Sequence, residues 1–398
     1  MRIFIGFDDT DSPGSDYGTG KLVRWFEQKL PGGCTLWGVV RQQLLVEVYR
    51  PRLSGPVPGE EDVVAVATRK LTDIDLTDER SLSATVRDAV AKQCPASLVR
   101  GVAEGKVDSA PLWGSYVEQG WTELVEPETA VELAIVLEEL GRATDPTPYL
   151  ATVTQFAPLA GDRYEPGVAG TALHSGITAH RDNDGWVLGG TARYVLDGDR
   201  AERYAVLTEA GTFVIDARAA RVSRTDVFDP VLHVADVTLS GVRVSDDDRV
   251  HTDAERARHI ALMGIAITTV GACQRALDLV LAHVRDRHQF GVPIGSFQAV
   301  QHKAVDMHVA IERARALAYF SALTISADDP RRRLAAAMAK AAAGECQSVV
   351  FRHGLQLFGG MGFTWENDVQ FALKRAKVGE LLLGGAAEHR EIIANEYR

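Results

Sequence analysis

The sequence predicts a multi-domain α and β protein: a small α/β module, an N-terminal helical domain, a middle antiparallel β-barrel domain and a C-terminal helical bundle. Three observations predict it. Apolar residues recur at helical spacing from Leu76, short turn-bounded apolar runs replace them between about Gly170 and Val250, and long helical stripes follow His251. At 398 residues the chain is too long for one simple core. The boundaries fall at 1–72, 73–152, 153–250 and 251–398.

Residues 3–7, Ile-Phe-Ile-Gly-Phe, read as a buried strand entering Asp8-Asp9-Thr10-Asp11-Ser12-Pro13, followed by a helix near Gly20–Lys29 and a strand near Thr35–Val48. Carboxylates at the end of a strand suit Mg²⁺ with a nucleotide phosphate, or simply cap a helix. Gly18-Thr19-Gly20-Lys21-Leu22 fails as a phosphate loop, because its first glycine is misplaced and Leu22 stands where a metal-binding hydroxyl is needed. The Ile-Gly-Phe-Asp-Asp-Thr-Asp-Ser run resembles the start of the archaeal enzymes that attach agmatine to a cytidine of an isoleucine tRNA. That resemblance implies an acidic cluster serving ATP and metal. Pro51–Gly59 reads as a linker, leaving 1–72 as an appended module.

Thr77 is the expected cap of a helix that carries Leu82, Val86 and Val90 and stops at Pro95. Further helices are expected at Ala110–Gln119 and Thr129–Arg142, the latter with Val131, Ile135, Val136 and Leu140 on one face and Gly141 ending it. Trp186–Leu188, Tyr204–Leu207, Thr212–Ile215 and Ala235–Ser240 read as strands, whose regular turns favour an antiparallel barrel or sandwich. Residues 253–288 form one helix about 50 Å long, with Ile260, Met263, Ile267, Val270, Leu277, Leu281 and Val284 on a stripe. Phe297–Ile325, Arg332–Phe358, Glu366–Lys377 and Ala387–Glu396 complete an antiparallel bundle.

Composition restricts the partners. A net charge of −11 opposes nucleic acid as the main partner, which needs a concentrated basic face. No apolar run approaches the roughly 20 residues that span a bilayer, and the start turns acidic too soon for a signal peptide. No membrane and a cytoplasmic location are therefore expected. Cys34, Cys94, Cys273 and Cys346 lie far apart and read as buried thiols. His302, His308, His353 and His389 have no metal-ligand spacing.

The stretch Gln356-Leu-Phe-Gly-Gly-Met-Gly-Phe-Thr-Trp-Glu366 closes the alanine-rich helix. Its glycines either let backbone approach a flat or phosphate-bearing ligand, or end the helix. Arg285-Asp-Arg287-His-Gln289-Phe290-Gly291-Val-Pro-Ile-Gly295-Ser-Phe297-Gln298 is a second stretch, and Leu133-Ala-Ile-Val-Leu-Glu-Glu-Leu-Gly141 a third. With these in the order α–β–α, residues from about 74 to 398 resemble the acyl-CoA dehydrogenase family, which transfers hydrogens from the α and β carbons of an acyl-CoA thioester to FAD. An arginine and a glutamine suit the two phosphates of a flavin dinucleotide. The resemblance implies that Arg287, Gln289, Gln356 and Gly360 reach the FAD of a neighbouring subunit, with Phe290 beside its rings. Arg287 is otherwise a helix-end cation.

The resemblance breaks at the base that abstracts the α-proton, normally a glutamate. Leu383 holds its usual position, and Ala261 the alternative one on the first long helix. Glu255, Glu380 and Glu388 are the remaining candidates, each also readable as surface or helix-end charge. Facing the flavin, Tyr194 can lie against a ring, whereas Leu196 lacks the hydroxyl the family uses. Losses on the face that grips a subunit's own flavin, beside retention on the neighbour's, resemble the second chain type of actinobacterial α2β2 enzymes of sterol side-chain degradation. A base-less subunit of a tetramer with a partner acyl-CoA dehydrogenase chain, an acyl-CoA substrate and an electron-transfer-flavoprotein-type acceptor are then expected. Alternatives are a self-sufficient homo-oligomeric enzyme with an unusual base, and a nucleotide-binding module at 1–72 with the rest as scaffold.

Overall fold

The computed structural model describes residues 76–182 and 185–397. The acidic turn, the Gly18–Leu22 run, Cys34 and the linker lie outside the described residues. The first described helix, α1 (Leu76–Gln93), already includes Thr77, so that residue does not precede the helix as its cap. Val86 and Val90 are buried as expected. Pro95, extended at φ −67°, ends this run and opens α2 (Ala96–Ala103), followed by α3 (Ala110–Glu118) and α4 (Ala130–Ala143). A π-helical turn, Thr152–Phe156, then leads to the sheets.

The strands are β1 (Gly170–Leu173), β2 (Ile177–Asp182), β3 (Gly185–Leu196), β4 (Arg203–Thr208), β5 (Gly211–Asp216), β6 (Arg221–Arg224), β7 (Val234–Val244) and β8 (Arg249–Val250). They form two four-stranded sheets, β1-β4-β5-β8 and β2-β3-β7-β6. Leu173, Tyr204, Val206 and Phe213 of the first sheet share one apolar core with Leu188, Ala192, Val237 and Leu239 of the second, which is a sandwich arrangement. Pairing is antiparallel as expected except between β1 and β4, which run parallel.

The bundle consists of α5 (Ala254–Asp286), α6 (Gln298–Ser326), α7 (Arg332–Phe358), α8 (Val369–Leu381) and α9 (Ala386–Asn395). Arg332 approaches Asp253 at 3.4 Å, and Phe358 stacks on His283 with centroids 4.6 Å apart, so α5 and α7 run parallel with α6 returning between them. The expected stripe on α5 is too narrow, because every residue from His259 to Cys273 is buried. The same helix corrects the reading that no segment has a membrane-spanning composition. It is long and apolar enough to cross a bilayer, yet 89% of that window is buried inside the fold.

Glycine explains how α5 can be enclosed on all sides. Gly141 does not end α4, which continues to Ala143 and is capped by Thr144 at φ 60°. A Cβ at Gly141 would lie 2.2 Å from the Thr268 carbonyl oxygen, and one at Gly271 would lie 2.0 Å from that of Glu138. The two glycines let α4 and α5 touch backbone to backbone. Cys94, Cys273 and Cys346 are free and buried.

Candidate functional site

Two chain reversals meet at one end of the bundle. The first begins at Arg287, the residue that caps α5, whose N–H donates to the His283 carbonyl at 2.8 Å. His288–Gln289 pairs with Val292–Pro293, so Phe290 and Gly291 form a two-residue hairpin turn with φ 55° and 81°. Such turns favour Asn or Gly at both positions. Phe290 thus holds a left-handed conformation unusual for a bulky residue while 93% exposed, and strain of this kind gathers at functional surfaces. Arg287 and Gln289 are exposed beside it.

The second reversal is the glycine stretch. Gly359, at φ 62°, ends α7, so the helix-ending alternative holds; yet a Cβ at Gly359 or Gly360 would meet nothing within 4 Å, so the backbone also stays open to approach. Gln356 is exposed one turn before. The His283–Phe358 stack ties this stretch to α5 one turn from Arg287. Burial first, and then the Arg287 charge, hold the His283 imidazole below its ordinary pKa. The far side of the stretch is fixed by Arg100, which donates to the Trp365 and Glu366 carbonyls and to Asp368. An apolar hollow lined by Leu281, Val284, Pro293, Val300 and Ala304 lies beneath the hairpin.

The two positions that the resemblance assigns to the base lie elsewhere. Ala261 is wholly buried in α5. Leu383 is half-buried at φ 55° in the loop between α8 and α9. Lys340, wholly buried in α7, donates to the Glu380 and Gly384 carbonyls at 2.7 and 2.6 Å, and His389 bonds the Leu383 carbonyl at 3.0 Å. Burial lowers the Lys340 pKa to about 8, against the raising effect of Glu380 and Glu388. Among the substitute bases, Glu255 and Glu388 are exposed. Glu380 is more than a surface charge: its Oε2 accepts from Gln347 at 2.7 Å and from Lys377 at 2.5 Å.

On the sheets, Tyr194 occupies the register shift between Ala192 and Val195 at φ 56°, 65% exposed, its N–H donating to Asp236 at 3.1 Å. Leu196 is buried, packed with Ala151, Leu232, Val234 and Val378. His174, after β1, bonds Gln155 of the π-helical turn at 3.1 Å, and burial followed by the Arg258 charge lowers its pKa to about 4. Sequence reasoning passed over Lys340, His174 and Arg258. A lone lysine in the run Ala335–Ala343 was the one visible signal, since a buried charge requires partners.

The family model described as acyl-CoA dehydrogenase, C-terminal domain, matches residues 256–397. Acyl-CoA dehydrogenase IpdE2 of Mycolicibacterium smegmatis is 33% identical over 324 residues, covering 79% of this chain and 97% of that protein. Among solved structures, the ChsE4–ChsE5 complex of Mycobacterium tuberculosis superposes with a TM-score of 0.72 at 23% identity, covering 80% of this chain and 96% of that one. A steroid acyl-CoA dehydrogenase variant, Tcur3481–Tcur3483, gives 0.70 at 24% identity, covering 80% and 97%.

Proposed function

This chain belongs to the acyl-CoA dehydrogenase family, and from that premise we propose that it is the subunit of a hetero-oligomer that lacks its own catalytic glutamate and completes the FAD site of a partner acyl-CoA dehydrogenase chain. One observation supports the reading: Leu383 and Ala261 stand at the two positions that the resemblance assigns to the base, and neither side chain can take a proton. Glu380 does not replace them readily, because Gln347 and Lys377 already hold its carboxylate.

The residues at the bundle end fit the adenosine-phosphate half of FAD. Arg287 offers a cation, Gln289 and Gln356 offer amides, and Gly360 leaves backbone exposed, all without side-chain obstruction. When bound, FAD supplies the two-electron acceptor for α,β-dehydrogenation of the thioester. Leu196 is the misfit on the opposite face, since it is turned into the core and offers no hydroxyl. Two further features support a joint site. The ChsE4–ChsE5 structure is a complex of two chain types, and Phe290 and Phe363 are 93% and 75% exposed in this chain. A ring-bearing acyl group of the steroid class follows as part of the same proposal, supported by the likeness to the steroid enzyme, and an electron-transfer-flavoprotein-type acceptor is supported by a similar fold solved in a study of the electron transferring flavoprotein of Acidaminococcus fermentans.

The test is to purify the chain alone and together with partner chains encoded beside it, then to record the flavin spectrum and its bleaching by acyl-CoA. Colour and bleaching are expected only on co-expression. Yellow protein that bleaches without a partner overturns the base-less reading and restores a self-sufficient enzyme.

A further inference from the structure

The two chain reversals at the bundle end belong to different helices, so a contact between those helices has to set one against the other. Arg287 is held through its backbone on both sides: its N–H donates to the His283 carbonyl at 2.8 Å, and its carbonyl accepts from the Ile294 N–H at 2.8 Å. The glycine stretch instead hangs from the end of α7. Its far side is anchored on α2 by Arg100, which donates to the Trp365 and Glu366 carbonyls and to Asp368. Its near side is anchored on α5 by one ring. The His283 imidazole stacks on Phe358, the last residue of α7, with centroids 4.6 Å apart and 18° between the planes.

Phe358 passes that restraint on to the glycines. It is buried, and Gly362 folds back on it so closely that a Cβ there would lie 3.0 Å from the Phe358 Cβ. The backbone from Gly359 to Gly362 is therefore seated on the Phe358 side chain, while Gly359 and Gly360 stay open on their outer side. Moving the Phe358 ring moves that backbone. Among the described residues no hydrogen bond or ion pair uses the His283 imidazole. Burial first, and then the Arg287 charge against the opposing Asp286, keep it uncharged near neutral pH. Stacking is what the ring contributes.

We infer that His283 is a positioning residue: by stacking on Phe358 it sets the glycine stretch of α7 against Arg287 of α5, so that both reversals serve one diphosphate-bearing ligand. The inference rests on the FAD reading above and adds the side chain that joins the two halves of its phosphate cradle. The carbonyl that holds Arg287 is backbone and survives substitution, so His283→Ala removes the ring contact alone and keeps a good helix former in place. His283→Phe keeps an aromatic face for Phe358 and loses only the ring nitrogens. An aromatic pair of this kind is worth a few-fold in an equilibrium constant, up to about tenfold.

The full chain, co-expressed with the partner chains encoded beside it and stripped of flavin, is titrated with FAD in wild type, His283→Ala, His283→Phe, Arg287→Ala and the His283→Ala/Arg287→Ala pair. His283→Ala should weaken FAD binding by about fivefold, and His283→Phe should stay within about twofold of wild type, both with the assembled mass unchanged on size exclusion. In the Arg287→Ala background the loss from His283→Ala should shrink below about twofold, because a misplaced cradle matters only while the arginine grips the phosphates. FAD affinity unchanged in His283→Ala overturns the inference. So does a His283→Phe variant as weak as His283→Ala, or one that no longer assembles, and so does a full fivefold loss in the Arg287→Ala background, which would make the two residues independent. If only the His283 variants behave like wild type, the positioning role fails and the FAD reading stands; if wild type takes up no FAD with any partner, the FAD reading fails and this inference with it.

Discussion

Lys340 shows what a single buried charge does for this site. Its ammonium satisfies two carbonyls of the loop that bears Leu383, and it does so wholly out of water. Burial lowers its pKa from 10.5 to about 8. The folded protein therefore loses the proton first as pH rises, and between those values the unfolded chain binds more protons. Stability from this site is lowest below about pH 8 and rises toward the unfolded value. The unfolding free energy of wild type minus that of Lys340→Met should grow by about 1 kcal/mol per pH unit within that window. Urea denaturation at several pH values checks it, and a pH-independent difference refutes it. The residues legible from sequence were those in short runs, where Arg287, Gln289 and Phe290 share one reversal and Gln356 and Gly360 another. Lys340, Arg258 and His174 escaped because three separate elements bring them together, and no local spacing reports that.

At the scale of elements, glycine placement decides the packing of α4 on α5. Alanine is about 1 kcal/mol better than glycine inside a helix, so Gly271→Ala would stabilise an unobstructed helix. Here the added methyl would sit 2.0 Å from the Glu138 carbonyl oxygen, and backbone cannot swing aside as a side chain can. Overpacking costs roughly 1–3 kcal/mol and outweighs propensity. Gly271→Ala should therefore lower Tm by several degrees. Gly114→Ala, in α3 with nothing within 4 Å of the new methyl, should hold or raise it. Thermal denaturation of the pair separates propensity from contact, and equal shifts would refute the backbone-contact account. Periodicity revealed α6 and α7 nearly to the residue: α6 keeps a wet face beside its buried one, and the buried middle of α7 is flanked by exposed Arg333, Ser348, Arg352 and Gln356. It misjudged α5, where enclosure by α4, α6, α7 and α8 erases the polar face. It also missed the parallel β1–β4 pair, since alternation within a strand carries no information about its partner's direction.

For the molecule as a whole, the order of helices, sheets and bundle was visible because each region has its own hydrophobic period; the proposal of a shared flavin site rests on Leu383 and Ala261 standing where the family resemblance puts the base. The extra length before α1 is the remaining question, and the relatives make it testable. About four-fifths of this chain, 79%, accounts for 97% of the M. smegmatis relative, so the family's full complement of elements fits into the chain with a fifth to spare. The bundle-end residues and the Lys340 loop lie within residues 76–397, among the described residues. A variant lacking residues 1–72, co-expressed with the partner, should retain flavin, assembly and bleaching by acyl-CoA within about twofold of the full chain, because the residues proposed for the flavin site lie outside the deleted stretch. Flavin content, size-exclusion mass and the bleaching rate are the measurements. If the truncated protein loses flavin or fails to assemble, the module is part of the dehydrogenase. If it keeps both while the full chain alone binds a nucleotide with Mg²⁺, the module carries a separate activity.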